Sequence, residues 1–185
     1  MAGRRLLGKA FSSGGGDISV IKRGRQFFSG LFARLSEKDY TFAIDRLTEP
    51  ELKLFMTMSA YDQKHACSVA MALEDESASL DLVRAGLLHD IGKAMCPELT
   101  LLRRSAAVFL EWAAPEDAAF LADRGRGKMA KALKAHRMHP SIGAVLLREI
   151  GTDDYIVALV EGHQSPNEAD CGEDALRLKR TDDRF

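Results

Sequence analysis

The densest chemistry in this chain lies at Ala85-Gly86-Leu87-Leu88-His89-Asp90-Ile91-Gly92-Lys93, where an apolar run carries an imidazole and a carboxylate side by side. Neighbouring helical positions diverge by about 100°. Both side chains still reach one ion from the same edge of a helix, and a carboxylate can bridge to a second ion. Leu87 and Leu88 would pack the pair rigidly, and Gly92 offers a place to stop the helix. A His-Asp pair alone says little. Its weight comes from the other histidines.

The elements that must position them follow from spacing. On a helix over Tyr61–Leu73, His65, Val69 and Leu73 share a face, which turns His65 inward. The short acidic link Glu74-Asp75-Glu76-Ser77 makes the next helix, Leu80 to about Ile91, an antiparallel neighbour. His65 near the start of one helix and His89-Asp90 at the far end of the next can then meet. Further on, His139 precedes Pro140, which is predicted at the first position of a helix with Ile142, Val145, Leu146 and Ile150 as its buried stripe. Gly143 would allow close backbone approach, and His136, one turn upstream, is expected to be a bystander. Ile156, Leu159, Val160 and His163 follow helical spacing and place His163 inward at its helix end. In the last helix, from about Gly172, the stripe Ala175, Leu178 and Asp182 favours Asp182 as the inward carboxylate, with Asp183 the alternative.

Upstream of these, residues 1–25 are Gly/Ser-rich and basic and are expected to form a flexible leader. Residues 26–60 are expected to hold helices packed on the core: Phe27, Leu31 and Leu35 repeat every four, Ser36 starts a helix through Leu47, and Thr48-Glu49-Pro50-Glu51 starts another to about Met58. Leu99 to Ala122 is predicted helical, broken or kinked at Pro115, and is the candidate dimer helix. Asp123 to Lys128 is a basic loop, either a solvated turn or an arm toward a phosphate-bearing ligand. No strand alternation, repeat or phosphate-binding glycine loop is present. The fold class predicted is therefore all-α.

The 185 residues suit one domain, with 46% apolar and 29% charged residues and a formal net charge of −1. That balance gives no reason to expect nucleic acid or a membrane surface as partner. No apolar run approaches the ~18 residues of a membrane span, and Arg4-Arg5-Leu6-Leu7 is too short for an export signal. The expected location is the cytoplasm, with Cys67, Cys96 and Cys171 reduced and too scattered for a thiolate metal site.

His65, His89, Asp90, His139, His163 and Asp182 thus form an imidazole-carboxylate set suited to Mn, Fe, Co, Zn or Mg. His65, His89, Asp90 and Asp182 would complete one site. His139 and His163, beside a bridging Asp90, suggest a second. A bound ion lowers the pKa of its water to about 7 and neutralises charge on phosphoryl oxygens, so a phosphoester is the natural substrate.

The order H…HD…HPxxG…H…D with an intact HDIGK resembles the HD-domain superfamily of metal-dependent phosphohydrolases, in its HDIG subgroup, over about Tyr61 to Asp183. The resemblance implies a single helical HD-domain bundle over 61–185 carrying an N-terminal helical extension. It implies His65, His89, Asp90 and Asp182 as ligands of a first ion, His139 and His163 as ligands of a second, and Lys93 near the substrate phosphate. Catalysis would rest on Asp90 and Lys93. Thr181 stands where the family usually has Ala before its last ligand.

Gly162-His163-Gln164 and the lack of a GYP loop count against cyclic-di-GMP phosphodiesterase activity, and Ile91-Gly92-Lys93-Ala94 lacks the acidic pair of the alarmone hydrolases. The dGTP triphosphohydrolases carry a further His where Lys93 stands. The substrate implied is a nucleotide or related phosphorylated small molecule. The alternative is a ligand- or partner-sensing module that keeps the metal site with little catalysis.

Overall fold

Serine and threonine caps set several of the helix starts. Ser36, Ser59, Ser79 and Thr100 hold extended backbone and accept a hydrogen bond from the amides of Asp39, Asp62, Leu82 and Arg103. The computed structural model describes residues 35–96, 100–165 and 172–185. The basic leader, the Phe27–Leu31 repeat, Pro97, Leu99 and Cys171 lie outside the described residues.

Helices α1 (Glu37–Ile44) and α2 (Glu49–Phe55) brace the bundle. They do so partly through charge: Asp39 accepts from Lys64 at 2.7 Å, and buried Glu51 from Arg84 at 2.7 Å. Helices α3 (Ala60–Asp75) and α4 (Leu80–Leu88) form the expected antiparallel pair. A 3-10 helix (Ile91–Met95) follows. Helices α5 (Leu101–Ala113) and α6 (Pro115–Arg124) make a hairpin, separated at Ala114 where Pro115 breaks the run. Then come α7 (Lys128–Glu149), α8 (Asp154–Gly162) and α9 (Gly172–Asp182). Among the described residues there is no strand, and the chain is all-α. Among the described residues no helix is long and apolar enough to cross a membrane.

One core joins α3, α4, α7, α8 and α9 through Ala66, Val69, Leu73, Leu87, Leu88, Leu147, Ile156, Val160 and Leu178, all essentially closed to solvent. A second, small cluster of Ala107, Ala118, Ala122 and Leu133 belongs to the α5–α6 hairpin and its contact with α7. Leu102, Phe109, Trp112 and Phe120 on that hairpin stand exposed.

Three expectations need correction. Helix α4 stops at Leu88, so His89 is its C-cap residue and Asp90 lies beyond it rather than on it. Pro140 does not begin a helix: α7 runs straight through it for 22 residues. The most buried face of α7 past Pro140 is Gly143, Ala144 and Leu147; of the expected stripe Leu146 and Ile150 pack partly against the core, and Val145 is half exposed.

Pro140 costs α7 one hydrogen bond, since it has no N–H to give the carbonyl of His136. The freed carbonyl is used, as described below. Gly92 is not the helix stop expected: α4 has already ended at Leu88 and Gly92 lies inside the 3-10 helix, where it serves close packing instead. A Cβ there would sit 2.0 Å from the His139 carbonyl oxygen and 2.7 Å from the Gly143 amide nitrogen. Only a bare α-carbon lets the segment after Asp90 lie against α7. Gly143 answers it from the other side, as its sequence position suggested, with Gly92 N only 3.3 Å from where its Cβ would be.

Candidate metal centre

Three of the four imidazoles at the centre are held in one orientation by their own backbone. His89 Nδ1–H donates to the Gly86 carbonyl at 2.9 Å, His139 Nδ1–H to His136 at 2.5 Å, and His163 Nδ1–H to Val160 at 2.7 Å. The Gly86 and Val160 carbonyls are free because their helices end there. The His136 carbonyl is free because Pro140 follows four residues on. In His139 and His163 the ring's other nitrogen, Nε2, is left as an unprotonated lone pair facing inward, the arrangement of a metal-ligating histidine; on His89 that nitrogen faces inward too but carries a proton held by the carboxylates, which a cation would displace.

These nitrogens meet two carboxylates. Asp90 spreads its oxygens: Oδ1 lies 3.2 Å from His139 Nε2, while Oδ2 lies 3.5 Å from His89 Nε2, 4.0 Å from His65 Nε2 and 2.6 Å from Lys93 Nζ. Asp182 Oδ1 accepts from His65 Nε2 at 2.7 Å and approaches His89 Nε2 at 3.4 Å. Two ligand groups result, His65–His89–Asp182 and His89–Asp90–His163, each with its donor atoms within 4.8 Å of one another. They share His89. His163 joins the first pair through His89, with ring centroids 5.1 Å apart, and reaches His139 at 5.3 Å. All six ligands expected from the sequence therefore converge.

The cage is closed except along one edge. His89, Asp90, His139 and His163 are buried, whereas the His65 and Asp182 side chains keep 15% and 20% exposure. Of the two carboxylates the sequence left open, Asp182 faces the cage and Asp183 is exposed.

Electrostatics sort the histidines into two kinds. Burial opposes charge on His89, yet Asp90 and Asp182 overcome it and push the imidazole up to about 9. Burial drives His163 down to about 3, helped by the charge of His89. His139 is lowered too, by burial and then by Lys93. Burial would raise both carboxylates. Instead Lys93 and His89 hold Asp90 well below the usual range, and His89 and His65 do the same for Asp182.

The fit to a cation can be tested on unpartnered atoms. The close approaches at His89 Nε2 and His139 Nε2 lack hydrogen-bond alignment. Those two atoms, His163 Nε2 and Asp90 Oδ1 are all buried with no hydrogen-bond partner. A buried polar group left without a partner costs about 1–3 kcal/mol. A packing role alone does not explain the concentration, but divalent cations bound within the cage would partner these atoms.

His136, the expected bystander, turns its ring toward Glu111, with Nε2 3.4 Å from Oε2, and contributes its carbonyl instead. The basic loop is a solvated turn at its charges, with Arg124, Arg126 and Lys128 exposed. Residues the sequence did not single out also border the cage. The Tyr61 ring stacks along His65 with centroids 6.5 Å apart, and Arg104 from α5 pairs with Asp62. Tyr61 sits four residues before His65, so helical spacing could have found it. No local pattern announces Arg104.

No protein-family model, no curated protein and no solved structure matches this chain.

Proposed function

We propose that this protein is a divalent-metal-dependent phosphohydrolase of the HD-domain, HDIG kind, acting on a phosphoester of a nucleotide or related phosphorylated small molecule. The observation that carries this reading is the set of buried histidines with Nδ1 pinned to backbone and Nε2 unpartnered, gathered around Asp90. Two ions fit the divergence of Asp90's oxygens. His65, His89, Asp90 and Asp182 would hold one, and Asp90, His139 and His163 the other. Bound there, Mn, Fe, Co, Zn or Mg would supply Lewis acidity and activation of water at neutral pH.

The chain's own residues do the rest. Asp90 offers one oxygen to each side, and the imidazoles fix the cage without rotamer freedom. The edge left open by His65 and Asp182 admits substrate. Lys93, with 10% of its side chain exposed and Nζ on Asp90, is placed to take negative charge from a phosphoryl oxygen. The reading places the protein in the cytoplasm, where such metabolites are found.

The second reading, a partner-sensing module, draws support from the exposed Leu102, Phe109, Trp112 and Phe120 on the α5–α6 hairpin, which is also where a homodimer contact would form. Phosphate release from a nucleotide panel with Mn added separates the two. Hydrolysis by the wild-type chain, lost together with bound Mn in His89→Ala and Asp90→Ala, supports the enzyme. A chain that binds Mn yet leaves every nucleotide intact overturns it in favour of sensing.

A further inference from the structure

Arg104 is a largely buried cation whose Nε has no hydrogen-bond partner. It reaches from α5 to the first turn of α3, where both terminal nitrogens lie on the Asp62 carboxylate, Nη2 at 3.2 Å from Oδ2. Its side chain is 13% exposed, and its Nε is buried without a partner. The guanidinium carbon lies 5.8 Å from the centre of the Tyr61 ring, and that ring stacks along the cage ligand His65. Arg104 therefore stands one aromatic ring away from the open edge of the cage. It feels the charge of Asp90, and both it and Lys93 bear on His136.

A role confined to holding α5 in place explains this poorly. Asp62 already has a partner in the Ser59 hydroxyl at 2.6 Å, and its charge sits in the first turn of α3, where the helix dipole favours it. The α5–α6 hairpin has its own apolar cluster against α7. Buried ion pairs contribute weakly to net stability because desolvation offsets their attraction. A forked guanidinium with Nε unpartnered, one aromatic ring from the open edge of the cage, is instead suited to bidentate capture of phosphate.

We propose that Arg104 is a substrate-contacting residue, which exchanges the Asp62 carboxylate for phosphoryl oxygens when a phosphate ester enters the Asp90 cage. Lys93 and Arg104 then flank the phosphoryl group from two elements, the 3-10 helix and α5. The substrate class this selects is a phosphoester with at least two negative charges near the scissile phosphorus. The assignment rests on the metal-phosphohydrolase reading above.

Binding of inorganic phosphate to the Mn-loaded full chain, followed by calorimetry, tests it without requiring turnover. Arg104→Gln should bind Mn as the wild type does and phosphate about tenfold more weakly, the loss expected for hydrogen bonds to a charged group. Arg104→Lys, which keeps the charge and loses the fork, should fall between. Asp62→Asn should bind phosphate at least as tightly as the wild type, because the competing carboxylate is gone.

A purely structural pair makes the opposite forecast, with Asp62→Asn and Arg104→Gln weakening phosphate alike; that outcome, or an Arg104→Gln protein indistinguishable from wild type, overturns the assignment. Should Arg104→Gln fail to fold, Asp62→Asn decides by itself on the same criterion. Wild-type chain that takes up Mn but not phosphate overturns the role of Arg104 and leaves the metal centre standing. Wild-type chain that takes up no Mn overturns both.

Discussion

His89, His139 and His163 reach one orientation by two local routes, helix termination at Gly86 and Val160 and a missing N–H at Pro140. Their protonation then divides by neighbourhood, and the metal-free chain should show it as a two-sided pH dependence. Burial opposes the charge on His89, but Asp90 and Asp182 raise it from 6.5 to about 9, so its contribution is complete below 6.5 and is lost as pH rises through 9. Burial lowers His163 and His136 from 6.5 to about 3; their contribution is complete above 6.5 and is lost as pH falls toward 3. Asp90 and Asp182, both lowered, steepen the acid limb. Urea unfolding of the chelator-treated protein should therefore find greatest stability near about pH 6.5. With saturating Mn the ion replaces the proton on His89, and the alkaline limb should flatten. A metal-free maximum above pH 8 would contradict this balance of charges.

Two elements hold the cage at the right spacing, and each suggests a variant. Pro140→Ala restores an N–H that can reclaim the His136 carbonyl for α7 and leave His139 Nδ1 without its acceptor. Thermal stability should hold or rise, while Mn affinity falls about tenfold, as for loss of a group that orients a ligand. A variant with unchanged Mn affinity would show that Pro140 does not set the ring. Gly92→Ala drives a Cβ into the His139 carbonyl, 2.0 Å away, and backbone cannot yield as a side-chain tip does. It should cost about 3 kcal/mol or more in denaturant unfolding. Gly143→Ala, whose nearest atom is Ile91 Cγ2 at 3.1 Å, should cost distinctly less. Equal losses would mean that the backbone contact is not the reason for Gly92.

The same elements mark what the sequence could and could not disclose. The helix starts at Ser36 and Thr48 were readable because caps act within a few positions. So were the inward faces of His65 and His163, set by helical spacing. Pro140 was misread as a helix start because its fixed φ suits a helix interior as well as a first turn, and what made the interior tolerable was a side-chain donor at His139. The end of α4 before His89 was hidden because Ile91 keeps the four-residue spacing from Leu87 beyond the last helical turn. Arg104 pairs with a residue 42 positions away, and periodicity carries no information at that range.

At the scale of the molecule, stability is unevenly spread. Helices α3, α4 and α8 share the large core, whereas α5 and α6 rest on four small or medium apolar side chains and leave Leu102, Phe109, Trp112 and Phe120 outside. Amide hydrogen exchange should find α3 and α4 opening only with global unfolding, and the α5–α6 hairpin opening far more readily. Uniform protection would contradict this division.

The centre itself is most directly tested by a crystal structure grown with Mn and measured at a wavelength where Mn scatters anomalously. Two peaks are predicted, one beside Asp90 Oδ2 among His65, His89 and Asp182, the other beside Oδ1 between His139 and His163. Well-ordered protein with no anomalous peak inside that ring of side chains would contradict the account.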